Sequence, residues 1–124
     1  MDLFFRRLEL WKNLLRNGFL TTPEQPEPSR SDCHGWGSHP LYHFFTGILG
    51  IRPCKTGFSQ AVIEPQLGSL SRAGGILPHP DGEISAEFRK TDSGLKGRIS
   101  LPGRLQAKLI LEGAEHSFQG TFQF

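Results

Sequence analysis

Cysteine is scarce in this 124-residue sequence, and the two that occur, Cys33 and Cys54, are too few for a disulfide-stapled scaffold. No secretion signal is expected beside them. The opening stretch MDLFFRRLELWKNLL is interrupted by Arg6, Arg7, Glu9 and Lys12, and no small-residue cleavage site follows. Neither a leader nor a membrane span is expected, so two free thiols and a cytoplasmic setting are. Charge of one sign is missing too. Fourteen Lys and Arg against twelve Asp and Glu leave a net charge of +2, scattered along the chain, which gives no basic stripe for nucleic acid. What the sequence does have is glycine (15) and proline (9), a composition that favours turns and short strands over a helical bundle.

Two helices are expected first. Asp2 is a plausible N-cap, Leu3, Phe4, Leu8, Trp11, Leu14 and Leu15 recur at helical spacing, and Asn17-Gly18 supplies a left-handed stop. Phe5, Leu10, Phe19 and Leu20 widen the apolar face, so this helix expects neighbours on most sides. The proline-rich TTPEQPEPSRSD must be loop. Ser38 or His39 then caps a second helix with Pro40 near its first position, Leu41, Phe44, Phe45, Ile48 and Leu49 on its buried face, and Gly50 at its end. Beyond Pro53 the period changes to two. Ile84, Ala86 and Phe88 alternate with Ser85, Glu87 and Arg89, and Leu95, Gly97, Ile99, Leu101 and Leu105, Ala107, Leu109, Leu111 behave alike. Turns about every ten residues indicate an antiparallel sandwich or barrel. The expected class is α+β: two N-terminal helices and a loop over 1–52, then a β-sandwich over 53–124. Two helices cannot close a core by themselves, so they look like the end of something larger.

The stretch SRSDCHGWGSHPLYHFF, residues 29–45, gathers His34, His39, His43, Cys33, Trp36 and Asp32. His39 and His43 stand four apart on a helix and could face one ion, but there is no Cys-x-x-Cys, and the residues between them are Pro, Leu and Tyr rather than the glutamate of a metalloprotease. No metal and no cofactor is expected. Cys33 beside His34 is a poor nucleophile-base pair, because adjacent side chains point apart, and a buried structural thiol is the expectation. Glu24 and Glu27 lie in the preceding loop, where catalytic groups concentrate but where most glutamates are merely solvated. Trp36 near carboxylates and histidines suits a sugar subsite, since the C–H face of a pyranose stacks on indole. Packing of Trp36 between the helices remains the plain alternative.

The segment from Trp11 to Pro53, with GFSQAVIEPQLGSL and PHPDGEI downstream, resembles the C-terminal end of bacterial α-L-rhamnosidases of glycoside hydrolase family 78. The likeness runs from Trp11 to Ile84, and its specific strings are S-R-S-D-C-H-x-W and the G-I-x-P after it. It implies that both helices close an α/α barrel and lead into a C-terminal β-sandwich. It implies further that Glu24 is the general base of an inverting hydrolysis, and that His34 and Trp36 line the rhamnose pocket. The loop Thr22-Pro23-Glu24 is shorter than the family's T-T-F-x-E, so Glu27 stands as the second candidate base. Gly35 and Gly37 replace alanine and serine and are expected to loosen the turn.

Inverting glycosidases use two carboxyl groups about 6.5–9.5 Å apart, and the family's general acid lies in a barrel segment upstream of anything present here. Glu9, Asp81, Glu83 and Glu87 are no replacement. The expected function is a C-terminal part of an α-L-rhamnosidase acting on terminal rhamnosyl residues of a glycan or glycoside, inactive alone. The alternative is a carbohydrate-binding or structural accessory module docking on a partner chain, and a gene remnant is a third possibility. Exposed helix faces would then meet the missing barrel portion on another chain, or a second copy.

Overall fold

The computed structural model describes residues 2–124, which form two compact units that divide between His43 and Phe44. The expected boundary at 52/53 differs from this division.

In the first unit, α1 (Asp2–Arg7) and α2 (Glu9–Arg16) are one helical run with an irregularity at Leu8. Leu8 keeps helical angles (φ −67°, ψ −13°), and its N–H and C=O still bond to Phe4 and Lys12. The run stops at Asn17-Gly18 as the sequence indicates. Gly18 takes φ +82°, and the N–H groups of Phe19 and Gly18 reach back to the carbonyls of Leu14 (3.0 Å) and Leu15 (3.1 Å), which satisfies otherwise orphaned acceptors. Of this run's apolar residues only Leu14 is buried, while Leu3, Leu15 and Leu20 in the loop beyond are widely exposed.

The second helix departs from expectation. A 3₁₀ turn, Gly35–Ser38, precedes a single regular turn, α3 (Pro40–His43). The chain then widens into a π turn over Phe44–Ile48, closed by Leu49 N–H on Phe44 C=O at 2.9 Å. One extra residue per turn rotates the apolar stripe. Ile48 and Leu49 are buried, whereas Leu41 and Phe44, expected on the same face, are exposed.

The second unit is a sandwich of two four-stranded sheets. One has the order β1 (Ile51–Pro53), β2 (Gln60–Ile63), β6 (Gln106–Leu111), β7 (Ala114–Gln119); the other β3 (Arg72–His79), β4 (Gly82–Thr91), β5 (Gly94–Ser100), β8 (Thr121–Gln123). All pairings are antiparallel except β2 with β6. The period-two reading holds where it is clearest: Ile84, Ala86 and Phe88, then Ile99, Leu101, Leu105, Ala107 and Leu109, are all buried in one core with Ile51 and Ile63. Leu95 and Leu111 pack against that core half-exposed. Gly97 sits among them because nothing larger fits: a Cβ there would lie 2.5 Å from the Phe88 ring and 2.9 Å from that of Phe124. Gly97→Ala is therefore expected to cost about 1–3 kcal/mol through overpacking, read by urea denaturation with an unchanged slope. Among the described residues, no helix is long and apolar enough to cross a membrane.

Candidate functional site

The loop TTPEQPEPSRSDCH doubles back on itself within the first unit. His34 N–H donates to Thr22 C=O at 2.7 Å, the Thr22 hydroxyl donates to His34 C=O at 2.8 Å, and Glu24 N–H donates to Ser31 C=O at 2.8 Å. The Thr21 hydroxyl also bonds to Asp32 C=O. Prolines forbid a continuous ladder between the two arms, so side-chain hydroxyls supply what the backbone cannot.

Glu24 and His34 are thereby held on opposite arms, and Trp36 follows on the 3₁₀ turn. The Trp36 indole N–H donates to Glu24 C=O at 3.0 Å, and its ring lies over His34 with centroids 4.3 Å apart and planes 34° from parallel. Most of the indole stays exposed, at 61%. The Glu24 side chain is only 12% exposed and is gripped by Arg30, whose Nε and terminal nitrogen donate to its two oxygens at 2.9 and 2.5 Å. A bidentate grip fixes the carboxylate plane, and each oxygen keeps lone-pair capacity for a further donor such as water. Glu27 faces elsewhere: its carboxylate accepts the Ser29 N–H at 3.0 Å in the loop's tip. Among the described residues, His34 Nδ1 is buried with no hydrogen-bond partner, an arrangement that folding alone disfavours. Beside it, an open hollow of about 490 Å³ is lined by Trp11, Leu14, Phe19, Leu20 and Thr22 along with His34.

Gly37 anchors this arrangement rather than loosening it. It is buried, its carbonyl accepts the Trp11 indole N–H at 2.7 Å, and a Cβ would stand 2.7 Å from Thr22 Cβ and 2.9 Å from Pro23 O. Gly37→Ala should push the two arms apart at a cost of about 1–3 kcal/mol. The near-ultraviolet circular dichroism of the tryptophans would report it, and an unchanged spectrum would refute the close approach.

The histidine pair has other employment. The His39 and His43 rings meet edge to face at 5.7 Å and 87°, His39 Nδ1 is bonded to Trp36 C=O at 2.9 Å, and the Trp11 ring abuts His39 at 5.1 Å. Among the described residues, no three His, Cys, Asp or Glu side chains converge in a way that could hold a metal ion. Cys33 and Cys54 are free and exposed, so the expectation of a buried Cys33 is corrected: the residue is exposed on this loop and borders the same hollow as His34. Arg30 is the residue whose part sequence reasoning missed. It stands inside the S-R-S-D-C-H string, yet six residues from Glu24 along an irregular loop, where no periodicity pairs them.

Residues 50–121 match the family model for the bacterial alpha-L-rhamnosidase C-terminal domain. An α-L-rhamnosidase of Alteromonas sp. (strain LOR) is 37% identical over 68 residues, which cover 54% of this chain and 7% of that protein. Among solved structures, the family 78 rhamnosidase of Bacillus sp. GL1 superimposes with a TM-score of 0.76 at 28% identity, over 86% of this chain and 13% of that one. The Streptomyces avermitilis α-L-rhamnosidase complexed with L-rhamnose gives a TM-score of 0.67 at 22% identity, over 80% and 11%. The chain thus spans a small fraction of the length of each relative.

Proposed function

This chain belongs to the bacterial α-L-rhamnosidase C-terminal domain family, and from that premise we propose that it contributes one wall of the sugar site of an inverting α-L-rhamnosidase. In this reading Glu24 is the general base that deprotonates the attacking water, and His34 and Trp36 contact the rhamnosyl ring. One observation carries it: the mostly exposed Trp36 indole is tied to the Glu24 backbone carbonyl and lies over His34, whose Nδ1 is buried and unpartnered among the described residues. The indole offers a stacking face for sugar C–H groups. The Arg30 clamp holds the Glu24 carboxylate in one orientation, which is what a base acting on a positioned water requires.

The second carboxyl group that such a reaction needs is to come from outside this loop. Glu9 is engaged by Lys12 at 2.6 Å and Arg16 at 3.4 Å, and Glu27 by the Ser29 N–H at 3.0 Å. Its source is the remainder of the barrel, and the exposed Leu3, Leu15 and Leu20 are apolar surface suited to meeting it. The two exposed, unpaired thiols fit a reducing, cytoplasmic setting.

The 124-residue chain alone should release p-nitrophenol from p-nitrophenyl α-L-rhamnoside no faster than buffer, while L-rhamnose should shift the NMR resonances of Glu24 to Trp36. Hydrolysis by the isolated chain would defeat the need for an outside acid. Shifts confined to the strands would instead make the chain an accessory binding module.

A further inference from the structure

Along the chain the basic residues are dispersed, but the register of the second sheet draws four of them together. Arg72 pairs with Arg89 across β3 and β4, and Arg89 pairs with Lys96 across β4 and β5, so three cations stand abreast on one outward row. The next outward row holds Gly74, Glu87, Arg98 and Gln123. All seven are exposed. Between the rows runs the backbone of Ala73, Phe88, Gly97 and Phe124, and together these residues line an open hollow of about 730 Å³. Like charges directly opposite one another on neighbouring strands destabilise a sheet. Arg89 and Lys96 lie on the two central strands, where no edge needs protecting from aggregation. None of the four cations takes part in an ion pair among the described residues.

We infer that this face binds an anionic polysaccharide, one whose sugars carry carboxylates. The inference rests on the chain's place in a glycan-processing protein, as proposed above. Strands about 4.8 Å apart set the cations at a spacing close to one sugar ring, so successive carboxylates could each meet a cation. Arg72, Arg89 and Arg98 present planar forks that match a carboxylate. Gly74 keeps that row low where a chain would cross, and the Gln123 amide offers hydrogen bonds to hydroxyls.

The test is calorimetric titration of the intact chain with hexameric oligogalacturonate and with its methyl ester, which has the same ring but no charge. The acid form should bind and the ester should not. Arg89→Gln with Lys96→Gln should weaken binding about tenfold or more, while Lys55→Gln with Arg104→Gln, which removes equal charge away from the hollow, should leave it within about twofold. The first double variant should also melt no lower than the parent at low salt, since it relieves repulsion. Absence of binding, equal binding of the ester, equal weakening by both double variants, or capture by phosphatidylserine vesicles in place of oligogalacturonate would each overturn the inference. Because L-rhamnose is neutral and its expected shifts lie on the Glu24–Trp36 loop, failure here leaves the proposed sugar site standing.

Discussion

Gly50→Ala should lower the melting temperature of the β-sandwich by about 12 °C or more, the largest stability effect expected from any one-carbon change in this chain. Gly50 ends the π turn at φ +70°, and a Cβ would lie 1.9 Å from Glu64 O and 2.3 Å from Glu64 C. Those are backbone atoms that cannot swing aside, since Glu64 N–H donates to Gly50 C=O at 3.1 Å and Gln66 N–H to Ile48 C=O at 2.8 Å. The left-handed conformation costs an alanine about 1–2 kcal/mol and overpacking about 1–3 kcal/mol more. Roughly 3 kcal/mol in a domain of this size corresponds to at least about 12 °C. Gly113→Ala separates the two contributions, because Gly113 has φ +85° and nothing within 4 Å of its would-be Cβ. It should cost only the conformational share. Equal losses at the two positions would show that the contact with Glu64 has no energetic consequence.

The second large effect concerns chemistry. If the equivalent segment of the Bacillus sp. GL1 rhamnosidase is exchanged for this chain, Glu24→Gln in the hybrid should reduce kcat by about 10²–10⁴ with little change in KM, as expected for loss of a general base. Glu27→Gln should leave kcat within a small factor, since its carboxylate only braces Ser29 N–H. Arg30→Gln is informative beside them. It frees the Glu24 carboxylate from its bidentate clamp while leaving the proposed base in place, so kcat should fall through misorientation and less severely than with Glu24→Gln. A hybrid in which Glu27→Gln is the inactivating change would transfer the proposed role to Glu27.

Much of the fold was legible because it follows from local rules. Period-two alternation in β4, β5 and β6 identified buried Ile84, Phe88, Ile99 and Leu109, since a pleated strand must turn alternate side chains to one core. Asn17-Gly18 marked a helix end because a left-handed residue there is chiefly glycine's privilege. The second helix misled. Leu41 and Phe44 follow the same spacing as Ile48 and Leu49, but spacing specifies a stripe and not what faces it, and the π turn shifted the stripe partway along.

The sequence by itself determined the first helix and its stop, the alternating strands and which residue types crowd the loop before Trp36, because propensity, turn chemistry and hydrophobic period act between near neighbours. Tertiary structure alone decided the Arg30 grip on Glu24, the closeness of Gly50 to Glu64 and the cationic row of Arg72, Arg89 and Lys96. Each is a meeting of residues set by loop path or strand register, and a one-residue slip would have put those cations on the buried face. Charge that is dispersed along a chain can therefore become a surface only when hydrogen-bonded strands align it.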